Sequence, residues 1–183
     1  MSIQVINEIL DGELMEKIIK YTEGIEWKYG AKTTYNGIPF WHKKIKDYYK
    51  KIDVTKWNDE DIFNQVLDTV ELRYKKKFDR NHSDFQIYFD ARTILQDSDY
   101  HKDILSDEDE RFTFMLYCTR EITEDTCHIG GYTNFKSKNG IICVEPLCNR
   151  GVLFKSGMDH RCNAPVTPDM LRVTLVFKLK EIK

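Results

Sequence analysis

The chain has 183 residues, enough for one domain with a substantial core. Its 41% hydrophobic, 32% charged and 13% aromatic residues exclude a disordered chain. Twenty-eight basic against thirty acidic residues leave a net charge of −2, without the basic footprint of a nucleic-acid binder, and no apolar run is long enough to span a membrane.

The amino terminus, MSIQVINEILDGEL, lacks the basic-then-apolar pattern of a secretory signal, so a cytoplasmic location is expected. The stretch DGELMEKIIKYTEG predicts a helix, with Asp11 as its cap, Leu14, Ile18 and Ile19 on one face, and Gly24 as its stop. Residues 29–44, YGAKTTYNGIPFWHKK, are aromatic and turn-rich and read as a loop over a site. A longer helix is expected across NDEDIFNQVLDTVELRYKKKF, where Asn58 and Asp61 form a capping-box-like start. There Ile62, Phe63, Val66, Leu67, Val70 and Tyr74 recur at helical spacing.

From about residue 84 the period changes from 3.6 to 2. FQIYFDA, RFTFMLYCT, GYTNFK, IICVE, RGVLF and LRVTLVFKLK are short runs rich in β-branched and aromatic residues, separated by turn chemistry. One α+β domain is expected over residues 1–183, with 1–83 mainly helical support and 84–183 an antiparallel β core. The helices would cover one sheet from outside. Cys118, Cys127, Cys143, Cys148 and Cys162 include no C-x-x-C pair, so reduced, mostly buried thiols are expected rather than a disulfide framework or structural zinc.

Two strands declare their faces. Phe112, Phe114, Leu116 and Cys118 alternate with Arg111, Thr113, Met115, Tyr117 and Thr119; Leu171, Val173, Leu175, Phe177 and Leu179 alternate with Arg172, Thr174, Val176 and Lys178. The apolar face suits packing on helices, and the mixed face suits solvent or a polar cavity. A solvated position is the stronger expectation for Lys178 than for Arg172 or Tyr117.

In DYHKDIL, His101 and Asp103 are two positions apart, which in extended chain puts both side chains on one face. Alone this is a weak signal, since NHSD supplies a second H-x-D at His82 and Asp84. Support comes from His160 in MDHRC, followed twelve positions later by Arg172 and then by Thr174. Two imidazoles and one carboxylate leave open coordination positions, as in non-heme Fe(II) oxygenases. An arginine and a hydroxyl on one strand face could hold a carboxylate.

Residues 88–180 resemble the core of the Fe(II)/2-oxoglutarate dioxygenases of the prolyl 4-hydroxylase type. The parts occur in the family's order: HKD for H-x-D, YCT, GGYTNF, VEPLCNRGVLF, MDH for the distal histidine, and RVT for R-x-S/T. The resemblance implies a double-stranded β-helix, a cupin-like jelly roll, with Fe(II) held by His101, Asp103 and His160. It implies that Arg172, assisted by Thr174, Tyr117 and Tyr88, binds 2-oxoglutarate as cosubstrate for O2 chemistry. It assigns His82 and Asp84 to a surface turn, because the family places H-x-D after the FQIYF strand. His128 is expected in a loop and His42 at a surface or rim. The chain departs from the pattern at Tyr132, where an acidic residue is usual, and at Thr119, where asparagine is common. It also has arginine where collagen-type members use lysine, and lacks the R-x-N-x-T-x-R signature of the DNA-repair members.

The activity implied is hydroxylation of an unactivated C–H, with succinate and CO2 as co-products. The family points to a prolyl residue in a peptide or protein; a free amino acid or other small metabolite is the second reading. A cupin-like binding or scaffold protein is the reading without catalysis, and it predicts a missing ligand or clamp. Residues 29–42 and 91–99 are expected to meet the substrate.

Overall fold

The computed structural model describes residues 3–46, 60–104, 110–122 and 130–182. The capping arrangement expected of Asn58 and Asp61, and the residues Cys127 and His128, lie outside them. The first helix, Gly12–Gly24 (α1), starts at its expected cap: Asp11 Oδ1 accepts from the Leu14 N–H at 2.8 Å. The second, Glu60–Tyr74 (α2), carries its apolar residues at the expected spacing, and Phe63, Val66, Leu67 and Val70 are buried. No helix among the described residues is long and apolar enough to cross a membrane.

All six carboxy-terminal runs form strands: Gln86–Arg92 (β4), Arg111–Tyr117 (β5), Thr133–Ser137 (β6), Gly140–Val144 (β7), Gly151–Lys155 (β8) and Arg172–Lys180 (β10). Four further strands were not legible in the pattern: Gln4–Ile6 (β1), Lys28–Ala31 (β2), Phe40–Lys46 (β3) and His160–Cys162 (β9). Among the described residues the amino-terminal part therefore combines both helices with three strands, and residues 29–44 are not simply a loop. β1 and β9 have three residues each, too short to show a period. On β3, Trp41 and Ile45 pack on the core while His42 and Lys44 face the cavity, an alternation hidden by the neighbouring lysines.

The strands form two sheets, one ordered β1-β8-β5-β10-β4-β3-β2 and the other β7-β6-β9. The described pairings are antiparallel. Both helices pack on the face of the larger sheet bearing Phe89, Phe114, Leu116, Leu175 and Phe177. Its other face meets the smaller sheet through Met115, Val152, Phe154 and Val176 against Phe135 and Val144. Two layers of strands with helices outside one of them is the expected jelly roll. Of the four described cysteines all are free, with Cys118 and Cys162 buried and Cys143 exposed.

The core tolerates no added bulk at Gly151. A Cβ there would sit 2.7 Å from Ile9 Cδ1 and 2.9 Å from Phe114 Cε2. Gly151→Ala is expected to lower the unfolding free energy by about 1–3 kcal/mol, the usual range for overpacking, read as a lower urea midpoint at unchanged slope.

Candidate functional site

The antiparallel registers put one set of side chains on the inner face of the larger sheet. Thr174 stands between Tyr117 and Asp90, Val176 between Met115 and Tyr88, and Lys178 between Thr113 and Gln86. His42 and Lys44 continue this face, opposite Asp90 and Tyr88. A cavity of about 300 Å³ opens over it, lined by His101, Asp103 and His160 among others.

The three candidate ligands meet there. One donor atom from each lies within 4.8 Å of the others. His101 Nε2 is 3.8 Å from Asp103 Oδ1, and His160 Nε2 is 3.8 Å from Asp103 Oδ2. The His101 N–H donates to the His160 carbonyl at 2.9 Å and the His160 N–H to the His101 carbonyl at 3.0 Å. This reciprocal bridge holds the two imidazoles side by side, while the Asp103 N–H donates to the Ser156 carbonyl at 3.0 Å. His101 Nδ1 lies 3.0 Å from the Asp99 carbonyl and His160 Nδ1 3.0 Å from the Met158 carbonyl. A carbonyl only accepts, so in each neutral ring the proton sits on Nδ1 and the Nε2 lone pair faces the cavity, the usual preparation of a histidine ligand. Burial pulls the His160 pKa down to about 4, opposed by Asp103 and reinforced by His101 and Lys178.

Asp103 is heavily engaged. Its Oδ2 accepts from Thr113 Oγ1 at 2.5 Å and contacts the Lys178 ammonium. Burial raises the carboxyl pKa, but the Lys178 charge, His160 and these hydrogen bonds outweigh it and hold the group well below the ordinary carboxylate range. The expectation of a solvated Lys178 is corrected: its side chain is only 15% exposed, inside the cavity. The signal was present, since Lys178 shares strand parity with Arg172 and Thr174. Removing the ammonium leaves a buried carboxylate unpaired. Metal-free Lys178→Met is therefore expected to lose about 3–5 kcal/mol, and added divalent metal should raise its Tm more than it raises that of the unsubstituted protein.

The sequence missed a second buried charged group. Arg92 and Arg172 face each other in register between β4 and β10, and both are fully buried. Arg92 pairs with Asp90 through Nε at 3.1 Å and Nη2 at 3.2 Å. Among the described residues Arg172 has no carboxylate partner: its Nε donates to the Gly131 carbonyl at 2.7 Å and its Nη2 to Thr133 Oγ1 at 3.0 Å. Its Nη1 is buried without a partner, as is Thr174 Oγ1. Tyr117 completes the cluster, its hydroxyl donating to Thr133 Oγ1 at 2.7 Å. Gly131 allows this approach, at φ +77 and with the space for a Cβ taken by Arg172 Cδ at 3.2 Å. Among the described residues, two buried guanidiniums against one paired carboxylate leave an uncompensated positive charge and two orphaned polar atoms. A carboxylate ligand fits that deficit.

Tyr88 lines the cavity, and burial, with Asp103 adding to it, raises its hydroxyl pKa well above the ordinary value. His42 is a rim residue on β3, with Nδ1 buried and unpartnered. The decoy pair sits elsewhere, between α2 and β4, where Asp84 is bound by Arg111.

No protein-family model matches the chain, and no curated protein matches it in sequence. Solved structures do match in shape. A prolyl-4-hydroxylase from Pseudomonas putida superposes with TM-score 0.66 at 16% identity, covering 98% of this chain and 92% of that one. An oxidoreductase of the 2OG-Fe(II) oxygenase family from Burkholderia pseudomallei gives TM-score 0.72 at 11% identity over 97% and 84% of the two chains. The non-heme alpha-ketoglutarate-dependent epimerase SnoN of nogalamycin biosynthesis gives 0.64 at 9% over 97% and 78%. At such identities the likeness carries the fold, a double-stranded β-helix.

Proposed function

We propose that the protein is an Fe(II)- and 2-oxoglutarate-dependent oxygenase. The observation that carries this reading is one inner sheet face that joins an open His101–Asp103–His160 donor set to a buried arginine with an unpartnered Nη1 and, among the described residues, no carboxylate. Bound there, Fe(II) with 2-oxoglutarate and O2 supplies oxidation of an unactivated C–H, with succinate and CO2 as co-products. His101 and His160 offer Nε2 and Asp103 a carboxylate oxygen as the ligands. Arg172 Nη1 and Thr174 Oγ1 take the distal carboxylate of the cosubstrate, and Tyr117 and Tyr88 line its bed. Phe135 and Phe154, with ring centroids 5.9 Å and 4.8 Å from that of His160, keep water from one side of the metal position.

The substrate proposed is a prolyl residue in a peptide or protein, supported by the sequence motifs and by likeness to a prolyl-4-hydroxylase. Likeness to an epimerase of nogalamycin biosynthesis supports a small metabolite as the second reading. The scaffold reading predicts a missing ligand or clamp; against it stand the convergent His101–Asp103–His160 donors and the unpartnered Arg172 Nη1. The test is 2-oxoglutarate turnover without substrate. Succinate is expected from the iron-loaded protein and none from Asp103→Ala; a folded, iron-loaded protein that forms no succinate with or without a peptide library defeats the enzyme reading. Screening that library for a 16-dalton gain on proline, a shift set by one added oxygen, then separates the two substrate readings.

A further inference from the structure

The outer wall of the cavity is built from residues that no metal or cosubstrate role uses. Ala31, Lys32 and Thr33 lie at the end of β2 and beyond it, Phe40, His42 and Lys44 stand on β3, and Lys102 lies between the first two candidate ligands. This wall is tied to the segment before His101. Thr34 Oγ1 donates to Asp99 Oδ2 at 2.8 Å, Gln96 Nε2 donates to the Pro39 carbonyl at 3.1 Å, and the Arg92 guanidinium lies 4.0 Å above the Phe40 ring. The hairpin therefore has a defined position relative to the metal ligands.

The chemistry of the wall is one-sided. Thr33 Oγ1 and His42 Nδ1 are buried and have no hydrogen-bond partner. Burial and the charge of Lys44 lower the His42 pKa, opposed by the hydrogen bond of its ring to the Lys28 backbone. Lys32 and Lys102 are exposed at the mouth, and among the described residues neither pairs with a carboxylate. The two carboxylates of the lining are already used, Asp90 by Arg92 and Asp103 by Lys178 and the donor set. The buried Thr33 hydroxyl and the two rim cations fit an acceptor with negative charge, and among the described lining residues four lysines stand against two carboxylates already engaged.

We infer that this wall is a substrate subsite for a carboxylate carried close to the C–H that is oxidised. The inference rests on the oxygenase reading and narrows its substrate class. The carboxylate can come from an acidic side chain flanking the reacting residue of a peptide, or from a free amino acid.

The experiment uses the whole protein under argon with Fe(II) and 2-oxoglutarate, where the visible charge-transfer band reports the loaded site. Binding is titrated calorimetrically with capped peptides Gly-Xaa-Pro-Xaa-Gly in which Xaa is Glu, Gln or Lys, and with L-proline and its methyl ester. The Glu peptide or L-proline is expected to bind about tenfold more tightly than its Lys or ester counterpart, with the preference fading in high salt. Lys32→Gln or Lys102→Gln is expected to weaken that binding about threefold to fivefold each, as a rim charge does. The winning probe identifies the source: the Glu peptide assigns a protein substrate and L-proline assigns a free amino acid. Equal binding of acidic, neutral and basic probes, or no binding by protein that shows the band, overturns the subsite alone. Absence of the band overturns the oxygenase reading beneath it.

Discussion

Replacing His160 with alanine is expected to abolish the visible band that the unsubstituted protein gives with anaerobic Fe(II) and 2-oxoglutarate. His160 is 3% exposed, its ring is fixed by the Met158 carbonyl, and its Nε2 points to the same position as His101 Nε2 and the Asp103 carboxylate. Alanine removes one of three protein donors and puts nothing in its place. Changes to groups that merely orient a ligand typically weaken metal binding about 10- to 100-fold, so loss of the ligand itself should exceed that. An unchanged band in His160→Ala would mean that the metal sits elsewhere. The pH dependence follows from the same burial. The unfolded chain protonates this ring near 6.5, whereas the folded chain resists protonation down to about 4. The stability that this group contributes is therefore present above pH 6.5 and is lost as pH falls through about 4. In the metal-free protein the unfolding free energy should decline across that window, and the decline should be shallower in His160→Gln.

Arg172→Leu is expected to raise the 2-oxoglutarate requirement about 10- to 100-fold, the value of a charge-assisted hydrogen bond to a buried carboxylate, while the Fe(II) requirement changes little. The separation follows from the architecture: Arg172 contacts Gly131, Thr133 and Tyr117, none of which belongs to the donor set. Because Arg172 also holds buried backbone, Arg172→Lys serves as the second variant. It keeps the charge but loses the fork, and should bind 2-oxoglutarate more weakly than the unsubstituted protein and better than Arg172→Leu. Equal effects on both requirements would remove the clamp role and leave Arg172 as a structural residue.

Much of this architecture was legible because strand periodicity is a local property. Alternation alone put Arg172, Thr174 and Tyr117 on the face opposite Phe114 and Phe177, and the registers place Thr174 directly beside Tyr117. Helix α1 was readable from Asp11 and its apolar spacing, since cap and stripe are set by neighbours within a few residues. The same parity also implicated Lys178. There charge misled, because lysine is so often solvated that an ion pair with Asp103 has no local signature.

What the sequence by itself determined is therefore the order of the parts and which side chains share a strand face. Tertiary structure alone decided which faces meet. His101 and His160 are 59 positions apart, and their proximity depends on a reciprocal pair of backbone hydrogen bonds that no side-chain pattern encodes. The opposition of Arg92 and Arg172 depends on the register between β4 and β10. The β2–β3 hairpin becomes a cavity wall only because β3 pairs with β4 and the hairpin is held by Asp99 and Gln96. Each of these contacts joins segments far apart in the chain, and its energy comes from pairing and burial that neither segment possesses alone.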